Sequence, residues 1–270
     1  MKTLLYAGCF IASIMVTADA AELSSAEITR RYNDVRILPD GGSEREAIIG
    51  DEISGKTMVR TGLKSRAELR FNDNTLSRLG SNTVFSFKRG SRDMQVGSGT
   101  LFLQVPKDAG GAVINTAAVT AAVTGTTIMI EIDGNNMIKI IVLEGSLDLS
   151  LNGDGRVTQT LRAGEMIIMR PGDRTIPQSV NVDLNLLMKT SSLVNEEEFN
   201  ALPDTAKGKI AEAVTDQQKR INRGELSKTN LVIPGSGSRV ILTDQNFDRR
   251  ETAFTVFFAS EALRNDCFQV

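Results

Sequence analysis

The sequence predicts a mainly β protein, an all-β sandwich, roll or solenoid followed by a helical C-terminal region. Polar and apolar side chains alternate at Arg66–Phe71 and at Ser146–Leu151, and a period of two is typical of a strand with one buried and one solvated face. Clusters of Asn, Asp and Gly separate many such short runs. After Pro171 the pattern changes to a helical period, which indicates that the β region ends there.

Three loops carry the residues that tight hairpins need. Residues 72–74 (Asn-Asp-Asn), 133–136 (Asp-Gly-Asn-Asn) and 152–155 (Asn-Gly-Asp-Gly) each lie between two strand-like runs. Asn, Asp and Gly tolerate the positive φ angles of such turns. Residues 152–155 also resemble part of a calcium loop, but the third acidic position and the distal Glu are missing. We therefore expect hairpin turns at all three places.

The region after Pro171 has the pattern of helices. Asn195 followed by Glu198 indicates a helix start, Pro203 a break or restart, and Gly224 a stop. The apolar residues that recur at helical spacing are Phe199, Leu202, Ala206, Ile210, Ala213 and Ile221. Three roles are open for this region: packing on the sheet, capping an open sheet edge, or binding a partner. We expect capping, because a β domain must cover its exposed edges.

Residues 231–270 are predicted to be a linker followed by a tail. Residues 234–238 (Pro-Gly-Ser-Gly-Ser) have the composition of a flexible connection, and Phe257 with Phe258 is a candidate docking strand. Cys267 is the one cysteine outside the first twenty residues, so no internal disulfide is expected. A free thiol without a further role is favoured over a bond to a partner chain.

Residues 1–20 have the layout of a secretory signal peptide. Lys2 supplies the positive charge, residues 4–16 are apolar, and residues 18–20 (Ala-Asp-Ala) form a cleavage site. A short buried helix and a lipoprotein signal ending at Cys9 are the alternatives, but too few apolar residues precede Cys9. We expect cleavage before Ala21 and a periplasmic location, with residues 21–34 as an N-terminal lead-in.

The composition excludes several classes of function. The chain has no His, no Trp and two Tyr, and its net charge is −2. Nucleophiles activated by His and imidazole metal ligands therefore cannot be built, and little is available for stacking on sugars or bases. A nearly neutral chain also lacks the field that attracts nucleic acid. We predict a protein that is not an enzyme and has no catalytic, cofactor-binding or metal-binding residues, although chemistry by paired carboxylates stays open.

Residues 111–130 contain no charged side chain, which leaves a membrane helix, a soluble helix and two buried strands as alternatives. Few bulky apolar residues and the lack of a flanking cluster of Lys or Arg argue against a membrane span. The many Val, Ile and Thr residues favour strands over a soluble helix. We predict strands at residues 112–123, with an irregularity, and at 126–132, with Gly125 as a bend or bulge. No integral membrane span is expected in the mature chain.

A series of short motifs resembles the FecR domain of bacterial extracytoplasmic proteins. In chain order the motifs are residues 50–53 (Gly-Asp-Glu-Ile), 61–67 (Thr-Gly-Leu-Lys-Ser-Arg-Ala), 69–75 (Leu-Arg-Phe-Asn-Asp-Asn-Thr), 99–102 (Gly-Thr-Leu-Phe), 123–126 (Val-Thr-Gly-Thr), 142–145 (Val-Leu-Glu-Gly) and 161–165 (Leu-Arg-Ala-Gly-Glu). The resemblance implies a jelly-roll-like sandwich or β-roll. We assign residues 35–172 to this FecR-like β-domain and residues 173–230 to a mostly helical region.

Two departures from the family pattern limit what the resemblance implies. The family usually has Arg at the position of Thr124, so a role of that Arg does not carry over. FecR-type anti-sigma regulators have a cytoplasmic segment and a transmembrane helix ahead of this domain, whereas this sequence has a signal-peptide pattern, so we do not expect direct binding of a sigma factor. Glu144 and Glu165 each adjoin a strand-end Gly, and we expect them to be solvated turn residues rather than an acid and a base.

Three functions from different classes remain. The first hypothesis is a non-enzymatic binding or scaffold module of the bacterial envelope, whose partner is an envelope protein or a cell-wall polymer. The alternative is an extracytoplasmic signal-transduction regulator that acts through a membrane partner. The weakest is a carboxylate-based glycosidase, whose two carboxyl groups would have to converge within about 5 to 10 Å.

Overall fold

The computed structural model describes residues 22–195 and 201–226, together with the backbone of residues 231–232 and 241–242. Within these residues the protein is mainly β with helices near the C-terminal end, which confirms the predicted fold class. Several predictions lie outside the described residues and stay predictions: the signal peptide at 1–20, Glu198, Phe199, the linker at 234–238, Phe257, Phe258 and Cys267. The predicted domain boundaries also stay predictions.

Among the described residues, seventeen strands and two helices precede a pair of two-residue strands. The strands are β1 (Ser25–Tyr32), β2 (Val35–Leu38), β3 (Arg45–Glu46), β4 (Glu52–Ser54), β5 (Met58–Thr61), β6 (Arg66–Phe71), β7 (Leu76–Leu79), β8 (Val84–Phe87), β9 (Asp93–Gln104), β10 (Ala112–Asn115), β11 (Val119–Val123), β12 (Thr127–Ile132), β13 (Ile138–Glu144), β14 (Ser146–Leu151), β15 (Asp154–Arg162), β16 (Glu165–Met169) and β17 (Val180–Asn181). The helices are α1 (Leu184–Thr190) and α2 (Asp204–Asn222). β18 (Leu231–Val232) and β19 (Ile241–Leu242) pair with each other.

The strands form two sheets that share β9. The covered sheet contains, in spatial order, β4, β1, β6, β7, β9, β12, β13, β16 and β17. The open sheet contains β3, β2, β5, β8, β9, β10, β11, β14 and β15. Leu69 and Ile130 from the covered sheet lie in one core with Phe85 and Leu149 from the open sheet. The two sheets therefore pack as a sandwich.

β9 passes from one sheet to the other. Its first half pairs with β8 and β10 in the open sheet, and its second half pairs with β7 and β12 in the covered sheet. Gly99 lies at the change with a φ of 80°, a conformation that favours glycine. A Cβ on Gly99 would lie 2.4 Å from Cα of Thr83. The crossing therefore depends on the absence of a side chain at this position.

The uncharged residues 111–130 contribute to three strands. β10 and β11 form a hairpin in the open sheet, while β12 lies between β9 and β13 in the covered sheet. The predicted single strand over residues 112–123 was wrong, because the Thr116 hydroxyl accepts from the N–H of Val119 and donates to its carbonyl, which holds a tight turn. Gly125 has a φ of 61° and makes the predicted bend before β12. No helix among the described residues has the length and apolar character needed to cross a membrane.

Hairpin turns occur at all three predicted positions. Asn74, Asn136 and Gly153 have φ angles of 65°, 58° and 85°, the left-handed conformation that Asn and Gly tolerate. At the third turn, the carboxylate of Asp154 pairs with Nε of Arg156 at 3.0 Å. This local ion pair agrees with a hairpin rather than a calcium loop.

The helices lie on the outer face of the covered sheet. α2 begins after Pro203, and Gly224 follows its end with a φ of 73°, as predicted. The expectation that this region caps a sheet edge was wrong, because α2 contacts the interior strand β13, and the edge beside β16 is paired with β17. The physical reason is that this outer face carries apolar side chains that need burial. Those that pack with Leu184, Leu187 and Ile210 include Phe102, Met129, Ile141 and Met166.

Candidate interaction surface

The two outer faces of the sandwich differ, because the chain covers one of them itself. On the covered sheet, the fully buried Arg78 donates from Nε to Oε2 of Glu68 at 2.9 Å. It also donates to the carbonyls of Leu193, at 2.8 Å, and Ala201, at 3.1 Å. Desolvation lowers the pKa of the Arg78 guanidinium, and the charge of Glu68 opposes this shift. Arg78 therefore attaches the segment that follows α1 to the sheet.

Glu68 departs from the expectation of a solvated alternate face in β6. Its side chain accepts from the Thr29 hydroxyl at 2.8 Å, and the residue is only 4% exposed. The alternation correctly assigned Ala67 and Leu69 to the core. It could not show that a second layer, formed by residues far along the chain, would also cover the polar side of this strand.

Further polar contacts are buried in the covered sheet and between the helices that lie on it. Nζ of Lys139 lies 2.9 Å from Oε2 of Glu131, and these side chains are only 7% and 6% exposed. Gln217 of α2 accepts from the N–H of Leu184 at 3.1 Å and donates to the carbonyl of Val182 at 2.7 Å. Since a buried polar group is costly without its partner, the two bonds of Gln217 hold α2 against the start of α1.

The outer face of the open sheet is accessible in the part of the chain that the structure describes. Strand pairing places one side chain from each of eight strands in a line across this face. These residues, which we call the cross-strand row, are Leu38, Met58, Ser86, Gln95, Asn115, Thr120, Ser150 and Thr158. The row is apolar at one end, where Leu38 and Met58 are 39% and 37% exposed, and polar and uncharged over the rest.

A groove of about 420 Å³ lies over the middle of the row. Its lining residues are Lys56, Met58, Ser86, Phe87, Lys88, Asp93, Met94, Gln95 and Asn115. Nζ of Lys56 pairs with Asp40 at 3.3 Å, while Asn115 accepts from the Thr120 hydroxyl at 3.2 Å. Amide and hydroxyl groups beside an apolar side chain are suited to binding a protein surface or an extended polar chain.

Sequence reasoning did not single out the cross-strand row. Its members come from strands that are distant in the sequence, and only the pairing of those strands aligns them. The available signal was weak: each is a residue on the outward side of an alternating strand. Within the described residues, no three or more Asp, Glu, Cys or His side chains lie close enough together to hold a metal ion.

The structure locates the other positions that the sequence singled out. Glu165 accepts from the N–H of Arg162 at 2.8 Å and so holds the turn before β16. Thr124 is exposed beside Gly125, so the usual Arg of the family would point to solvent here. Neither of these residues lies in the cross-strand row.

Glu144 is half-buried rather than a solvated turn residue. Burial raises the pKa of its carboxyl above the ordinary 4.5, while Lys209 and Lys107 oppose the shift and Glu212 adds to it. Thr127 donates a hydrogen bond that favours the charged form. Glu144 is partly buried because α2 lies against β13. The same contact brings Lys209 and Glu212 towards the end of this strand.

Replacing Glu144 with Gln is expected to stabilise the protein slightly at pH 7 and to have no effect at pH 4. A raised pKa means that the folded protein binds the proton more tightly than the unfolded chain. That stabilisation is present below the ordinary pKa and is lost as the pH rises through the raised one. Melting temperatures at both pH values would check this, with the exposed Glu52→Gln as control. A larger benefit at pH 4 than at pH 7 would contradict it.

Comparisons with known proteins agree with the sequence resemblance. Residues 57–148, from the start of β5 into β14, match the family model described as FecR protein. Two crystal structures of a candidate anti-sigma factor from Parabacteroides distasonis are similar to part of this chain. One, at 1.65 Å, has 18% identity and a TM-score of 0.42, with 48% of this chain and 62% of that chain covered. The other, at 2.50 Å, has 16% identity and a TM-score of 0.41, with coverages of 49% and 64%.

The chain spans less than two thirds of the length of these solved chains. No curated protein matches the sequence.

Proposed function

We propose that this protein is an extracytoplasmic signal-transduction regulator that acts through a membrane partner, because residues 57–148 match the family model described as FecR protein. The family match is the observation that carries this proposal, and it favours the regulator over the scaffold hypothesis. The signal-peptide pattern of residues 1–20 supports a site of action outside the cytoplasm.

The cross-strand row is the surface by which this regulator contacts its partner. The covered sheet uses its outer face to hold α1 and α2, through Arg78 and the apolar side chains beneath the helices. The row lies on the opposite side of the sandwich and crosses β5, β8, β9, β10, β11 and β14, which contain residues of the matched region. Exposed polar side chains on such a scaffold are suited to specific recognition.

A transcriptome comparison tests the proposal. Deletion of the gene is expected to change transcription of a defined set of genes. Gln95→Arg, which places a long cation in the groove, should reproduce the deletion while the folded protein and its level persist. Ser54→Arg, on the exposed side of β4, is the matched control and should behave as the wild type.

Two outcomes would contradict the proposal. An unchanged transcriptome together with an envelope defect would support the scaffold hypothesis, with an envelope protein or a cell-wall polymer as partner. A protein that added protease digests only after the cytoplasmic membrane has been broken lies in the cytoplasm. That result would exclude the extracytoplasmic role.

A further inference from the structure

β15 forms one edge of the open sheet, and within the described residues its side away from β14 is unpaired. It is nine residues long and, among the described residues, pairs with β14 alone. We propose that β15 pairs antiparallel with β15 of a second copy, so that the two open sheets join into one continuous sheet. This inference does not rest on the proposed function.

The hydrogen bonds around β15 show which of its backbone groups point outward. The N–H of Ala163 bonds to the carbonyl of Gly145, so alternate residues counted back from Ala163 face β14 and the residues between them face the free side. Thr158, Thr160 and Arg162 belong to the second set. Glu165 takes the outward N–H of Arg162, and Asp154 takes that of Arg156. The outward N–H groups of Thr158 and Thr160 remain for a partner strand.

Within the described residues, the stretch of β15 from Thr158 to Leu161 lacks the features that usually protect an edge strand. Proteins block such edges with charged side chains, above all Lys, and with Pro, bulges or a covering segment. Residues 158–161 contain no charged side chain and no Pro, and the irregularity in the β14–β15 pairing lies before them, between Asp154 and Thr158. Val157, Thr158 and Thr160 are residues that favour strands, and Thr158 and Thr160 are exposed.

The charges of β15 select one register for the pairing of two copies. Pairing centred on Thr158 sets Asp154, whose carboxylate also bonds to Arg156 of its own strand, opposite Arg162 of the second copy, twice per dimer. A shift by one pair of residues, which sets Thr158 opposite Thr160, would place Arg156 opposite Arg162. Opposite charges across strands stabilise a pair and like charges destabilise it. The Thr158 register also continues the cross-strand row, which ends at Thr158, directly into the row of the second copy.

The expected dimer is weak, because pairing along one short edge buries less than a standard interface. We expect the full-length protein to associate reversibly at concentrations on the order of 100 µM. Sedimentation equilibrium over a range of concentrations measures the association constant. A single monomeric species at all concentrations would overturn the proposal.

Thr158→Pro and Thr158→Val form a matched pair of variants. Proline removes the outward N–H without removing a bond to β14, so it should lower the association constant roughly tenfold or more, since two intermolecular bonds per dimer are lost. Valine keeps the N–H and should dimerise as the wild type. Equal association of the two variants, with circular dichroism showing both folded, would contradict pairing through this edge.

Exchange of the charges tests the register. Arg162→Glu alone and Asp154→Lys alone should each weaken the dimer, on the order of tenfold for two like-charge pairs. The double variant restores opposite charges and should recover most of the association. A double variant as weak as either single variant would exclude the register centred on Thr158.

Discussion

Replacing Arg78 with Met is expected to lower the free energy of unfolding by about 3 kcal/mol, the usual cost of removing one member of a buried ion pair. Glu68 would stay buried without its main partner, and the carbonyls of Leu193 and Ala201 would lose their donor. Methionine has a similar length and fills most of the space. The loss of unfolding free energy should therefore come from the missing polar contacts rather than from a cavity. Denaturant unfolding of the two proteins measures it.

The position of the lost contacts gives this variant a second readout. Because Arg78 holds the segment after α1, amide hydrogen exchange should rise most in residues 184–194, before the sandwich core responds. Arg30→Met is the control: its Nε lies 3.7 Å from Glu68 and its side chain is 50% exposed, so the expected loss is below about 1 kcal/mol. Equal effects of the two variants would show that burial of Arg78 carries no special role.

Gly99→Ala is expected to destabilise the protein by roughly 3 kcal/mol, because strain and steric overlap act together at this residue. The added Cβ would lie 2.4 Å from Cα and 2.6 Å from N of Thr83. Thr83 cannot move freely, since its hydroxyl accepts from the N–H of Thr100 at 2.9 Å and donates to the carbonyl of Gly80 at 2.9 Å. Thermal and denaturant unfolding should both record the change.

Gly153→Ala is the matched control for the steric contribution. Gly153 has a φ of 85°, close to that of Gly99, but nothing lies within 4 Å of an added Cβ. The free energy of unfolding of this variant should fall only by the cost of placing a Cβ in the left-handed conformation, about 1 to 2 kcal/mol. A loss as large as that of Gly99→Ala would mean that backbone conformation, and not the approach of β9 to Thr83, limits the crossing between the sheets.

Local patterns predicted the strands and turns because their causes are local. The alternation in β6 and β14 follows from the geometry of one strand, and Asn74, Asn136 and Gly153 turn the chain by their own backbone preferences. At residues 112–123 the Thr116 hydroxyl makes a turn inside a run of strand-forming residues, where Asn115 is the one turn-favouring residue and no Gly or Pro accompanies it.

Periodicity and turn residues in the sequence predicted a mainly β protein followed by a helical region, and its central motifs resemble those of the FecR family, whose model matches residues 57–148. The burial of Arg78 and Glu68 beneath the helical region, and the alignment of eight side chains across the open sheet, could be seen in the folded protein alone. The difference lies in the range of the interactions. Periodicity and turn residues act within a few positions, whereas burial of a polar face and alignment across strands depend on segments that are distant in the chain.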